Sequence, residues 1–241
     1  MGYLWSWRVV AFSGLVLAAE LWAQQPLLDL RQASADGPIP EAWQPLTFSG
    51  LAPTDYRLVE EGERVILCGV ANASASGLVR RIDGNTDHFP EIAWEWRVSN
   101  VYSGARLGDR AGDDYPARLY VTFAFQPERA DWSTRLKYES YRVLYGEYPP
   151  HSVLNYVWAN SEAPETFAIS PYADNSIMLA VQGGEQYLNQ WQFERRHIAD
   201  DYRKVFGEDP PPISGVALMS DADNTGQKAT ACFASIELLS P

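Results

Sequence analysis

Asp221-Ala222-Asp223-Asn224-Thr225-Gly226 puts three Asp and Asn side chains into a short loop closed by glycine. Ca²⁺ takes roughly six to eight oxygen ligands, so Asp221, Asp223 and Asn224 are the candidate ligands of a structural calcium. The stretch lacks the distal Glu of an EF-hand loop, and the same residues equally build a turn whose side chains bond their own backbone. Glu95 and Glu194 are the candidate catalytic carboxylates. Held about 5–9 Å apart, such a pair acts as acid and base on a glycosidic bond. Asp113 and Asp114 lie just before Arg118. A carboxylate–guanidinium pair there would pin the preceding loop, and with Tyr120 the same cluster is a candidate sugar or anion site. His88, His151 and His197 stand alone, without metal-type spacing. No G-x-S-x-G, HExxH, CxxC or phosphate-loop motif occurs, nor the E-x-D-x-x-E strand motif of jelly-roll glucanases. The absence of a recognised constellation weighs against catalysis.

Strands must position these residues. Period-2 alternation recurs over Val65–Val70, Ile92–Val98, Ala117–Phe125, Val153–Trp158, Ile177–Val181, Gln190–Glu194, Ile213–Met219 and Thr230–Leu239. Turn clusters rich in Asp, Asn and Gly separate them. One short helix is expected near 197–206, stopped by Gly207 and Pro210-Pro211-Pro212. About nine strands and one helix predict an all-β fold: a single two-sheet antiparallel β-sandwich of jelly-roll kind over 54–241. Residues 24–53, with their Pro and Gly, read as an extended lead-in.

Alternation sorts the side chains. Trp94 and Trp96, Leu154, Tyr156 and Trp158, and Trp191 with Phe193 are expected to face the core. The opposite faces then carry Glu95, Arg97, Arg118, Tyr120, Asn155 and Glu194. These six are the candidate ligand-binding residues if their strands share a sheet. Otherwise they are solvated faces with cross-strand ion pairs.

Residues 1–23 read as a secretory signal peptide, with Arg8, an apolar run from Val9 to Ala19 and Ala23 at the cleavage position. That run falls short of the about 20 residues a membrane span needs, and no stable membrane insertion is expected after its removal. In an exported chain Cys68 and Cys232 are either one disulfide or two buried thiols. With 31 acidic against 19 basic residues the net charge is −12, which leaves no basic footprint for a nucleic-acid partner. The 9 Trp and 13 Tyr are large rings with polar handles, the kind that stack on sugars.

Gly112-Asp113-Asp114-Tyr115-Pro116-Ala117-Arg118-Leu119-Tyr120-Val121-Thr122-Phe123 resembles the signature of a bacterial exported family, domain of unknown function 3047. Ile92–Val98, Leu154–Ala159, the stretch from Trp191 to Gly207, and Met219–Gly226 fit the same pattern, so the resemblance spans roughly residues 45–239. It implies one exported β-sandwich domain and lends no catalytic residue. The resulting expectation is a periplasmic or extracellular module that binds a glycan or polysaccharide without catalysis. A glycoside hydrolase or polysaccharide lyase using Glu95 and Glu194 is the first alternative, and a structural protein of the cell envelope the second.

Overall fold

A computed structural model describes residues 24–240 except Glu147, with only the backbone of Leu144 and Tyr145. The sequence 1–23, expected as a signal peptide, lies outside the described residues. Strands follow as β1 (Gln24–Leu28), β2 (Gln44–Thr47), β3 (Asp55–Glu61), β4 (Arg64–Asn72), β5 (Ala75–Gly84), β6 (Glu91–Val98) and β7 (Arg118–Phe123). After helix α1 (Trp132–Tyr145) come β8 (Ser152–Ala159), β9 (Phe167–Ser170), β10 (Ala173–Gly183) and β11 (Gln192–His197). Helix α2 (Ile198–Phe206), β12 (Ile213–Asp221) and β13 (Lys228–Leu239) complete the chain.

Two sheets stack face to face. The six-stranded sheet runs β11-β6-β13-β4-β3, with β1 also paired to β13. The seven-stranded sheet runs β2-β5-β12-β7-β8-β10-β9. The segment expected as a lead-in thus supplies one strand to each sheet, and Trp43 within it is buried, its indole N–H donating to Leu27 O at 3.0 Å. Between the sheets lie the rings that alternation assigns to the core. Trp94 meets Tyr156 at 5.2 Å and Trp96 meets Trp158 at 5.9 Å, centroid to centroid, so β6 of one sheet interlocks with β8 of the other. Such ring pairs add to the burial of large apolar surfaces.

Three features depart from expectation. The sheets are not wholly antiparallel, because β8 and β10 pair parallel. After β8 the chain crosses over and lays β9 on the outer edge, which leaves β10 antiparallel to β9 and parallel to β8. Among the described residues there are two α-helices and thirteen strands rather than one helix and about nine strands. The additional helix, α1, is framed by Asp131, which accepts the N–H groups of Ser133 and Thr134, and by Gly146 at φ 83°. Its apolar residues do not form one core-facing stripe: Trp132 is 78% exposed and Val143 80%, while Tyr138 stacks on Phe125. Finally, β11 has the opposite phase. Glu194 pairs in register with Trp94 and shares its inner face, so Phe193 points outward and is 60% exposed. An edge strand takes its phase from its one neighbour, and that neighbour is β6.

Cys68 and Cys232 stand opposite each other on β4 and β13 and form a disulfide. The bridge sits on the outer face of the six-stranded sheet, in a small cluster with Ile66 and Trp191. No helix among the described residues is long and apolar enough to cross a membrane.

Candidate functional site

The start of β7 and the end of β12 are neighbours, with Arg118 opposite Met219. This pairing brings Asp221 beside Arg118. The guanidinium, 4% exposed, donates from Nε to Asp221 Oδ1 at 2.8 Å and from Nη2 to Asp221 Oδ2. Nη2 also reaches Asp113, through its backbone carbonyl and through Oδ2 at 3.5 Å. Arg118 lies over the Tyr115 ring, 4.4 Å from its centroid. The expected pair of Arg118 with a preceding Asp therefore exists, but the stronger partner is Asp221. Asp114 does a different job. Its carboxylate accepts the N–H groups of Asn224 and Thr225, at 3.2 and 2.6 Å, and so holds the loop after β12.

The chosen metal ligands part company here. Asp221 and Asp223 come together with Asp114, their carboxylate oxygens within 4.8 Å of one another. Asn224 turns away, its side chain meeting the Tyr172 hydroxyl at 3.1 Å. Asp114 and Asp221 already accept protein donors, and a guanidinium stands beside them as the compensating cation. Three carboxylates, Asp113, Asp221 and Asp223, feel that one cation. Burial, together with Asp114 and Asp113, pushes Asp221 up to about 7 against the pull of Arg118. Burial raises Asp113 and Asp223 as well, and Asp114 adds to both shifts.

Asp113, Asp221 and Asp223 line an open groove of about 350 Å³ on the outer face of the seven-stranded sheet. Arg118, Tyr120 and Asn155 line it from adjacent strands, Tyr120 standing opposite Asn155 on β8. Asn155 is 2% exposed and Asp113 4%, and each presents a buried Oδ1 with no hydrogen-bond partner among the described residues. Leaving a buried acceptor unpaired costs about 1–3 kcal/mol. Phe48, Leu51 and Tyr172 add exposed apolar surface to the lining, and Tyr172 is 54% exposed. The Tyr172 ring is held by the Asn224 amide and by Arg110, 4.8 Å from its centroid.

Residues 41–237 match the profile of a family described as a protein of unknown function, DUF3047. The chain belongs to this family. No curated protein matches it. Among solved structures, this DUF3047 chain is similar to the family 11 carbohydrate-binding module of the cellulase Lic26A-Cel5E of Clostridium thermocellum, with a TM-score of 0.45 and 10% identity over 91% of this chain and 95% of that one. It is also similar to the xyloglucanase domain of NopAA from Sinorhizobium fredii, with a TM-score of 0.40 and 9% identity over 82% and 91%. The K2 cleaved adhesin domain of Lys-gingipain gives a TM-score of 0.38 and 9% identity over 90% and 97%.

The remaining candidates of the DUF3047 chain lie on the other sheet, across the core from the groove. Glu95 and Arg97 project from the outer face of β6. Glu95 accepts from Arg64 at 2.8 Å and Arg97 pairs with Glu61 at 2.7 Å. The two guanidiniums lie 4.5 and 4.8 Å from the Trp191 centroid, and the indole N–H donates to Glu61. This is a solvated sheet face laced by ion pairs. A cleft of about 680 Å³ next to it includes Glu95, yet no aromatic ring of the described residues lines it. Glu194 is on the opposite, inner side of the same sheet. It accepts from Gln182 at 2.9 Å and Trp96 Nε1 at 3.3 Å, and burial raises it above the ordinary Glu range. Glu95 and Glu194 therefore do not face each other and cannot flank one glycosidic bond.

Arg118, Tyr120 and Asn155 were identifiable from strand alternation. Phe48, Leu51 and Tyr172 were not, since they sit outside the strands where no periodicity marks them. Asp114 was visible in its motif, but the loop that it holds lies about a hundred residues further on.

Proposed function

We propose that this DUF3047 domain is an exported, non-catalytic glycan-binding β-sandwich, periplasmic or extracellular, whose ligand is a neutral polysaccharide held in the groove of the seven-stranded sheet. The observation that carries the reading is the pair of buried, unpartnered acceptors, Asn155 Oδ1 and Asp113 Oδ1, lining an open groove beside the exposed Tyr172 ring. Sugar hydroxyls supply donors to such acceptors, and the apolar face of a sugar ring covers a tyrosine. The groove's three carboxylates, Asp113, Asp221 and Asp223, against one guanidinium disfavour a uronate or sulfated polymer, which selects for a neutral one. Export agrees with the Cys68–Cys232 bridge, because disulfides persist in oxidising compartments.

Calorimetric titration of the purified protein with neutral gluco-, manno- and xylo-polysaccharides, and with polyuronates, tests this. One or more neutral polymers should bind and the polyuronates should not. Tyr172→Ala should weaken binding by about tenfold or more, about 1.4 kcal/mol, and Asn155→Ala by a similar factor. Full affinity in both variants, or retention of polyuronates alone, sinks the assignment. New reducing ends that vanish in Asp223→Asn would replace binding with hydrolysis.

A further inference from the structure

We infer that the groove is one half of a longer site, and that the ligand is an extended chain running from it across Tyr172 into a second cleft lined by tyrosines. The inference rests on the glycan-binding reading and adds where the rest of the chain goes. The second cleft, about 650 Å³, lies between α1, the residues before β8 and the start of β10. Tyr138, Tyr141, Tyr148 and Pro149 line it together with Tyr172, which also lines the first groove. The two hollows therefore share a wall rather than being separate sites.

The rings in the second cleft are fixed before any ligand arrives. Tyr138 stacks on Phe125 with centroids 3.8 Å apart and donates its hydroxyl to Pro150 O at 3.3 Å. Tyr148 donates to Glu139 and has Arg142 5.3 Å from its ring centroid. Tyr141 stands edge-on to Tyr138 at 6.2 Å. Rings held in this way lose little freedom when a sugar stacks on them, which keeps the cost of binding low. Charge is balanced among the described residues too: Lys137 and Asp174 line the cleft, one of each sign. That suits the same neutral polymer as the groove. Both volumes lie within the roughly 300–1,000 Å³ usual for small-ligand sites, so a mono- or disaccharide fits one hollow and leaves the other empty. A longer chain engages both, and its second contact is intramolecular once the first has formed.

The test uses oligomers, from disaccharide to octasaccharide, of the neutral gluco-, manno- and xylo-polymers, titrated against the purified protein. Affinity should rise by at least about tenfold between the trisaccharide and the hexasaccharide of the polymer that binds. Tyr141→Ala should remove that gain while leaving trisaccharide affinity unchanged. Asp174→Trp, a bulky ring at an exposed position in the cleft, should do the same without touching the packing of α1. A hexasaccharide that binds no tighter than the trisaccharide overturns the extended site and leaves the glycan reading standing, as does a gain that survives both substitutions. If no oligomer of any length binds, the glycan reading itself falls and the extended site with it.

Discussion

Replacing Arg118 with Ala is expected to destabilise the fold by about 3–5 kcal/mol at neutral pH, the usual loss when one partner of a buried ion pair is removed. The guanidinium is the cation shared by Asp113, Asp221 and Asp223, and it ties β7 to the end of β12. Without it Asp221 is a buried carboxylate with an acidic neighbourhood. Arg118→Lys should recover only part of the loss, because an ammonium cannot make the two-pronged contact with Asp221. The loss should shrink as pH falls. In the folded wild type Asp221 is raised to about 7 by burial and by its acidic neighbours, whereas in the unfolded chain it titrates near an ordinary Asp, about 4. A folded pKa above the unfolded one means the native state holds the extra proton between those values. The contribution is thus fully present below about pH 4 and is lost as pH rises to about 7. Removing Arg118 moves Asp221 further up, so at pH 5 the variant regains much of what it lacks at pH 8. Urea midpoints of both proteins at pH 5 and pH 8 check this. A loss of equal size at both pH values would show that packing against Tyr115, not charge, is what Arg118 supplies.

The same arginine shows how far the sequence alone reaches. Which side chains of β6, β7 and β8 face inward is a local property: Trp94, Trp96, Tyr156 and Trp158 sit at every second position of their strands, and the core contains them all. Arg118, Tyr120 and Asn155 follow as the outward set, and they do line one groove. Which strands share a sheet is not local. Glu95 and Arg97 obey the same alternation as Arg118, yet crossovers place β6 and β7 in different layers. The acidic half of the site is non-local in the same sense. Asp221 was readable as an oxygen ligand in a turn, but its engagement with Arg118 depends on β12 pairing with β7 across 103 residues. Trp191 and Phe193 mark a third boundary. On a strand with one neighbour the phase is set by that neighbour, and an inward Glu194, bonded to Gln182 and Trp96, outweighs an inward Phe193. Helix α1 escaped the sequence reading because its middle lacks a single apolar stripe.

Breaking the Cys68–Cys232 bridge should cost stability and spare binding. The bridge closes a loop of 164 residues, joining β4 to the last strand. In the chain-entropy account a loop of this length restricts the unfolded state enough to be worth about 3–5 kcal/mol. The double substitution Cys68→Ala with Cys232→Ala should therefore lower the melting temperature by about 10 °C. Treatment of the wild type with a reductant should approach the same value. Native packing around the bridge is slight, a small cluster on the outer face of the six-stranded sheet with Ile66 and Trp191. The groove and the tyrosine cleft belong to the other sheet, so glycan affinity below the new melting temperature should match that of the wild type. An unchanged melting temperature would mean that the bridge does not restrict the unfolded chain as the chain-entropy account requires. Lost affinity in a variant that still melts cooperatively would mean the two sheets are coupled through the Trp94, Trp96 and Trp158 core, and the binding face would then depend on the strands beneath it.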